Sequence, residues 1–106
     1  MLVLLALPAR AEDKPAEAAP EGGVIVKIDN FTFSPAQITV TPGTTVTWIN
    51  NDDIPHTVVE TKKAFRSKTL DTEEKFSFTF NTAGDFAYFC SLHPHMTGKV
   101  IVKPAG

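Results

Sequence analysis

Three phenylalanines at alternate positions place the strongest constraint on how this chain can fold. Phe76, Phe78 and Phe80 are separated by Ser77 and Thr79. Successive side chains of a β-strand point to opposite faces, so this alternation predicts a half-buried strand. Such a strand needs neighbouring strands and a second layer of structure to cover its aromatic face.

Short runs of the same kind recur from Val24 onward. β-Branched and aromatic residues dominate the runs, while Pro, Gly, Asn and Asp dominate the breaks between them. The predicted strands cover residues 24–28, 31–33, 37–41, 44–50, 57–60, 76–80, 85–89 and 98–103. About eight short strands without a helical period predict an all-β sandwich. Residues 61–72, between the fifth and sixth predicted strands, have no regular pattern. We expect an irregular segment there that is anchored by Phe65 and Leu70, with its four Lys and Arg side chains on a solvated face.

The N-terminal residues predict export. Residues 2–7 are apolar, and Ala9-Arg10-Ala11 has the small-x-small form of a signal-peptidase site. We therefore expect a signal peptide at 1–11, a flexible Pro- and Ala-rich leader at 12–23, and one folded domain at 24–106. The apolar run is too short to span a bilayer.

The charge and the cysteine count limit the possible functions. The 106 residues carry a formal net charge of −2, which becomes −3 when Arg10 leaves with the signal peptide. A mildly acidic chain gives no indication of a nucleic-acid partner or of an anchor to anionic lipids. Its one cysteine, Cys90, cannot form an internal disulfide, and metal ligation fits the residues around it best.

Cys90 begins a stretch that is rich in potential metal ligands. His93 follows it after two residues, and Met96 follows His93 after two more. His56 lies in a separate loop that the sandwich can bring to the same end. One thiolate, two imidazoles and a thioether suit a copper ion that changes oxidation state, with Met96 as a weak axial ligand.

Alternative interpretations exist for each of these residues. A lone cysteine is often a small buried hydrophobe, a loop histidine is usually polar surface, and a methionine often fills a core. Zinc is the competing metal, but a methionine is a poor fourth ligand for it. His95 competes with His93, and we expect His95 to lie outside the ligand set because its spacing from Cys90 does not suit the loop.

These residues resemble those of the cupredoxins, and among them the amicyanins. The resemblance covers residues 24–102, and it includes Thr44-Thr45-Val46-Thr47-Trp48-Ile49-Asn50, Pro55-His56 and the short Cys-x-x-His-x-x-Met spacing. It implies a Greek-key β-sandwich holding one type 1 copper ion in the periplasm. His56, Cys90 and His93 would be the equatorial ligands and Met96 the axial one. Asn50 matches an asparagine expected to hydrogen-bond across to the ligand loop and steady the thiolate.

The resemblance further implies a monomeric single-electron carrier that serves redox partner proteins. Its docking face would surround His93 with the apolar residues Ile54, Pro55, Leu92 and Pro94. The alternative is a periplasmic copper-binding or copper-delivery protein, which the absence of Met-rich or His-rich tracts disfavours. Three histidines are too few for a second copper centre, so we do not expect an enzyme. Leu92 and His95 replace the proline and the aromatic residue that amicyanins commonly carry there.

Overall fold

The computed structural model describes residues 23–104, which form two four-stranded sheets. The predicted signal peptide, and all but the last residue of the predicted leader, lie outside this range. The strands are β1 (Val24–Asp29), β2 (Thr32–Ser34), β3 (Gln37–Val40), β4 (Thr44–Asn50), β5 (Val59–Glu60), β6 (Lys75–Phe80), β7 (Gly84–Cys90) and β8 (His93–Val102). Within residues 23–104 there is no helix capable of crossing a membrane. The predicted all-β sandwich is confirmed.

The first sheet has the strand order β2-β1-β4-β6. Strand β4 lies inside this sheet, parallel to β1 and antiparallel to β6. Six of its seven residues are buried, which agrees with its uninterrupted run of β-branched and aromatic residues. Its last residue, Asn50, is where the chain enters the loop that leads to His56.

The second sheet has the strand order β3-β8-β7-β5. Strand β8 lies between β3, to which it is parallel, and β7, to which it is antiparallel. Strands β7 and β8 are consecutive in the chain, so the connection between them is a hairpin. This hairpin carries Cys90 and His93.

Aromatic side chains fill the space between the two sheets. Trp48 is fully buried, and its ring centroid lies 5.3 Å from that of Tyr88 on the opposite sheet. Phe65 packs 5.5 Å from the Trp48 ring. Phe80 is buried, and the other two phenylalanines of β6 pack partly buried against the core. The alternation in β6 therefore does mark a half-buried strand.

The closing strand differs from the sequence prediction because it begins at His93 rather than at Gly98. Cys90 pairs with His93 across a two-residue turn, and the next pair along the ladder joins Phe89 to Thr97. Residues 94–96 thus have no partner on β7 and form a bulge. Pro94 lacks a backbone N–H and cannot donate to the ladder, which favours the bulge at this point.

The irregular segment between β5 and β6 packs beneath His56. Phe65 and Leu70 are buried, as predicted, and Lys62, Lys63, Arg66 and Lys68 are exposed. The backbone N–H of His56 donates to the Leu70 carbonyl at 3.1 Å, and the N–H of Leu70 donates back at 2.7 Å. These two bonds fix the backbone of His56 against a buried part of the fold.

Candidate metal centre

Three of the four predicted ligand residues converge at one end of the sandwich. His56 follows the loop that leaves β4, Cys90 ends β7, and His93 begins β8. One donor atom from each of the three lies within 4.8 Å of the others. The expectation that the two loops meet at the same end of the sandwich agrees with this geometry.

The donor atoms that face one another are the Cys90 sulfur and one nitrogen of each imidazole. Cys90 Sγ lies 3.7 Å from His56 Nδ1 and 3.5 Å from His93 Nδ1. Cys90 and His56 are fully buried, whereas His93 is half-buried. The site therefore has a buried thiol and a buried imidazole, with a second imidazole that reaches the surface.

Met96 and His95 lie on the bulge of β8. Met96 is 5% exposed and belongs to the same buried cluster as Cys90. His95 is exposed and is not one of the three converging residues. Met96 thus has the burial that an axial ligand needs, and that role stays a prediction.

Asp52 contacts the far side of the His56 ring. Its carboxylate oxygen Oδ2 lies 2.9 Å from His56 Nε2 and accepts a hydrogen bond of 3.1 Å from the Phe31 N–H. The bond from His56, followed by the bond from Phe31, holds the pKa of the Asp52 carboxyl below its ordinary value. An ionised carboxylate only accepts hydrogen bonds, so His56 Nε2 is the donor of this bond, and in the neutral imidazole that tautomer leaves Nδ1 as the acceptor facing Cys90.

Asn50 braces the loop between β4 and His56. Its side-chain amide donates to the carbonyls of Ile54 and Leu70, both at 2.9 Å, and its oxygen accepts the Asp52 N–H at 2.8 Å. The resemblance assigned to Asn50 a bond across to the ligand loop, and these bonds differ from that expectation. Asn50 is at the end of β4, so its side chain reaches its own loop and the neighbouring irregular segment.

Thr57 makes the bonds that were expected of Asn50. Its backbone N–H donates to Cys90 Sγ at 3.4 Å, and its hydroxyl lies 3.7 Å from the same sulfur. The hydroxyl oxygen also accepts the Ser91 N–H at 2.7 Å and lies 2.8 Å from Ser91 Oγ. Thr57 is next to His56 in the chain, so one residue links the two loops that hold the ligands.

Phe31 covers the outer side of the two imidazoles. Its ring is edge-on to both, with centroid distances of 5.8 Å to His56 and 5.1 Å to His93. The sequence placed Phe31 in a strand, but it lies in the turn between β1 and β2 and is 51% exposed. Leu92, 48% exposed, is the other large hydrophobic residue at the surface of residues 23–104.

The chemistry of the donor atoms fits copper. A thiolate favours Cu(I), imidazole nitrogens suit Cu(II), and a set of two histidines and one cysteine is typical of electron-transfer copper sites. Burial of the sulfur and of His56 excludes water from two of the three donors. Fixed backbone contacts on both loops limit how far the donors can move.

Comparison with protein families gives the same metal. Residues 21–103 match the model of copper binding proteins of the plastocyanin/azurin family. The chain belongs to this family of cupredoxins. A cupredoxin holds one type 1 copper ion, and in this chain the copper-binding residues include His56, Cys90 and His93.

Individual relatives of this cupredoxin include amicyanins and plastocyanins. It is 38% identical over 98 residues to amicyanin of Paracoccus versutus, an alignment that covers 86% of this chain and 74% of the relative. It is 36% identical over 84 residues to plastocyanin of Scenedesmus fuscus, covering 67% and 86% of the two chains.

Solved structures show the same fold. A structure of an amicyanin variant in its reduced state superposes with a TM-score of 0.75 at 35% identity, covering 83% of this chain and 88% of that one. A purple cupredoxin of Nitrosopumilus maritimus superposes with a TM-score of 0.72 at 31% identity, covering 76% and 99%.

Three residues at this site were not singled out from the sequence as functional. Thr57 could have been found from its position directly after a predicted ligand, since that places its backbone in the loop that meets Cys90. Asp52 is one of two adjacent aspartates, and nothing in the sequence distinguishes it from Asp53. Phe31 alternates with Phe33 and therefore looked like part of a strand.

Proposed function

We propose that this cupredoxin carries single electrons between redox proteins in the periplasm, with His56, Cys90, His93 and Met96 as its copper ligands. The observation that carries the proposal is the convergence of one thiol and two imidazoles within 4.8 Å. A copper ion held there would take up and release one electron by alternating between Cu(II) and Cu(I). The amicyanins and plastocyanins to which the chain is related are electron carriers and not enzymes.

Met96 completes the proposed ligand set as a weak axial donor. Its burial in the same core cluster as Cys90 supports this role, because a thioether donor has to lie inside the protein and away from water. His56 and Cys90 are fixed by protein contacts, which keeps their positions similar in both oxidation states. Little rearrangement is what rapid electron transfer requires.

The proposed exit for electrons is the exposed edge of His93. The ring is half-buried and lies among apolar side chains, with Phe31 against it and Leu92 next to it in the chain. Pro55 and Pro94, both exposed, belong to the same proposed docking face, and Ile54 is half-buried beside them. A small apolar surface suits brief encounters with redox partners, which bury little area. In this proposal the protein acts as a monomer.

The periplasmic location rests on the predicted signal peptide at 1–11 and on the relationship to amicyanins. Expression of the gene with its own start, followed by cell fractionation and mass spectrometry, tests this part. Recovery of a periplasmic chain that begins after Ala11 is the expected result. An intact N-terminus in the cytoplasmic fraction would contradict it.

Copper binding is tested by adding Cu(II) to the purified mature chain and recording its visible and EPR spectra. An intense thiolate-to-copper band and a reversible one-electron voltammetric wave are expected. Met96→Leu should keep the blue band and raise the potential, since it removes a weak donor. Absence of the band in the unmodified protein would refute a type 1 site. A band without a reversible wave, together with rapid loss of copper to a chelator, would favour copper delivery instead.

A further inference from the structure

The position of Asp52 is fixed by hydrogen bonds on several sides. Its backbone N–H donates to Asn50 Oδ1 at 2.8 Å, and its carbonyl accepts the Thr72 hydroxyl at 2.7 Å. Carboxylate oxygen Oδ1 accepts the Asp53 N–H at 2.8 Å. The remaining oxygen, Oδ2, is the one that contacts His56 and Phe31. A carboxylate anchored in this way has little freedom to turn away from the imidazole.

The contact is also shielded from solvent. The His56 side chain is fully buried, and the Asp52 side chain is only 14% exposed. A charged hydrogen bond that is mostly removed from water is stronger than one at an open surface. The charge of Asp52 therefore acts directly on the His56 ring.

We propose that Asp52 is a positioning residue of the copper site, which holds His56 with Nδ1 facing Cys90 and strengthens that nitrogen as a donor. The inference rests on the copper-carrier function proposed above. A carboxylate bonded to one ring nitrogen fixes the tautomer and raises the basicity of the other nitrogen. A stronger donor favours Cu(II) over Cu(I), so Asp52 lowers the reduction potential of the site.

The same carboxylate oxygen holds Phe31 in an unusual conformation. Asn30 and Phe31 have φ angles of 52° and 59°, and the residues on either side, Asp29 and Thr32, are paired across β1 and β2. Positive φ at both central residues defines a tight hairpin turn that prefers Asn-Gly. A phenylalanine at the second position is strained, and such strain is often found at functional sites. The Phe31 N–H bond to Asp52 links this turn to the ligand.

Asp52 thus has two connected effects. It orients His56 through Nε2, the ring nitrogen that faces away from Cys90. Through its bond to the Phe31 backbone it also places an aromatic ring over the outer edges of both imidazoles. Loss of its charge weakens the first effect, and loss of its acceptor oxygen weakens both. The two effects can be separated by substitutions that differ in charge but not in shape.

The test compares Asp52→Asn with Asp53→Asn. The first variant keeps an oxygen that can accept from His56 and Phe31, but it removes the negative charge. The second removes the same charge from the adjacent exposed residue, whose side chain has no hydrogen bond to His56 in the described part of the chain. Both variants are loaded with copper, and their potentials are measured by voltammetry alongside that of the unmodified protein.

Removal of an orienting partner of a ligand typically costs tenfold or more in metal affinity. If that loss falls on Cu(II), Asp52→Asn shifts the preference toward Cu(I) about tenfold, which raises the potential by about 59 mV. Asp53→Asn should shift it far less. Equal shifts in the two variants, or no shift in Asp52→Asn, would overturn the inference, because a purely structural residue would change stability without changing the potential.

A second measurement does not depend on copper or on either variant. Long-range ¹H–¹⁵N NMR of the metal-free protein identifies which nitrogen of His56 carries the proton. A proton on Nε2 supports the inference, and a proton on Nδ1 overturns it.

Failure of this inference can be distinguished from failure of the copper-carrier function. A blue site with an unaltered potential in Asp52→Asn would refute the role of Asp52 alone. A copper-treated unmodified protein without the blue band would refute the copper-carrier function.

Discussion

The Thr57 hydroxyl is the contact whose removal gives the sharpest test of how the two ligand loops are joined. Both the N–H and the hydroxyl of Ser91 lie within hydrogen-bonding distance of Thr57 Oγ1, at 2.7 and 2.8 Å. If Ser91 donates both bonds, the hydrogen of Thr57 points to Cys90 Sγ, 3.7 Å away. Thr57→Val removes all three bonds and leaves the backbone N–H to the sulfur in place, since valine has the same shape.

The expected loss of stability follows from these bonds. An ordinary intramolecular hydrogen bond contributes about 0.5–1.5 kcal/mol, and water can replace part of this loss because Ser91 is exposed. We expect the free energy of unfolding to fall by about 1–2 kcal/mol. For a domain of this size that corresponds to a decrease in Tm of about 4–16 °C.

The expected change in potential is small and has a definite sign. A hydrogen bond to the thiolate reduces its donation to copper, so removing the bond favours Cu(II) and lowers the potential. The contact between Thr57 and Cys90 is long, and we assign it about 0.5 kcal/mol, which corresponds to about 20 mV for one electron.

Thr57→Ser is the matched control because it keeps the hydroxyl and loses only a methyl group. Thermal unfolding of the metal-free proteins, followed by circular dichroism, measures stability, and voltammetry of the copper-loaded proteins measures the potential. Thr57→Ser should retain the potential of the unmodified protein. If Thr57→Val keeps both its Tm and its potential, the hydroxyl does not join the two loops and the reasoning is refuted.

Three further substitutions test other parts of the site. His93→Ala should abolish the blue band while His95→Ala retains it, and the reverse result in visible spectra would exchange their roles. Gly98→Ala should lower the free energy of unfolding, measured by urea titration, by about 1–3 kcal/mol, because the new methyl group would overlap the buried Tyr88 ring. An unchanged urea midpoint would mean that the ring can move aside. Phe31→Gly should change the free energy of unfolding by no more than about 1 kcal/mol, since relief of backbone strain offsets the lost contacts. The same substitution should decrease the rate of electron self-exchange measured by NMR. An unchanged rate would exclude the Phe31 ring from the docking face.

The sandwich could be predicted because its strands follow a simple period. Alternation in β6 and the apolar run in β4 reflect burial of one face or of both, and in these two strands the residue types follow the burial. Phe65 and Leu70 could be predicted as anchors for the same reason, since large apolar residues in a charged segment have to be covered. Where the pattern was broken by the ligands, the prediction of strand ends failed.

The start of β8 shows why. A stretch containing His93, Pro94 and His95 has no apolar alternation, so it looked like a loop. In the structure the ladder continues on both sides of it, and the extra residues form a bulge. Met96, Gly98 and Val100 are two residues apart and lie on the same face by ordinary alternation, but residues 94–96 have no partners on β7. Sequence periods cannot show such an insertion, because they assume one residue for each residue of the neighbouring strand.

The metal ligands can be recognised from their residue types, whereas the residues that support them can be recognised only from the conformation of the loops. A cysteine, histidines and a methionine at short spacing indicate a metal regardless of loop shape. Asp52 and Thr57 are ordinary loop residues, and they act only because the backbone aims Oδ2 at one nitrogen of His56 and Oγ1 at the chain beside Cys90. Two aspartates stand side by side, but only one faces the imidazole. The type of metal therefore follows from composition, whereas the tuning of the metal follows from loop conformation, so related chains with the same ligands can have different potentials.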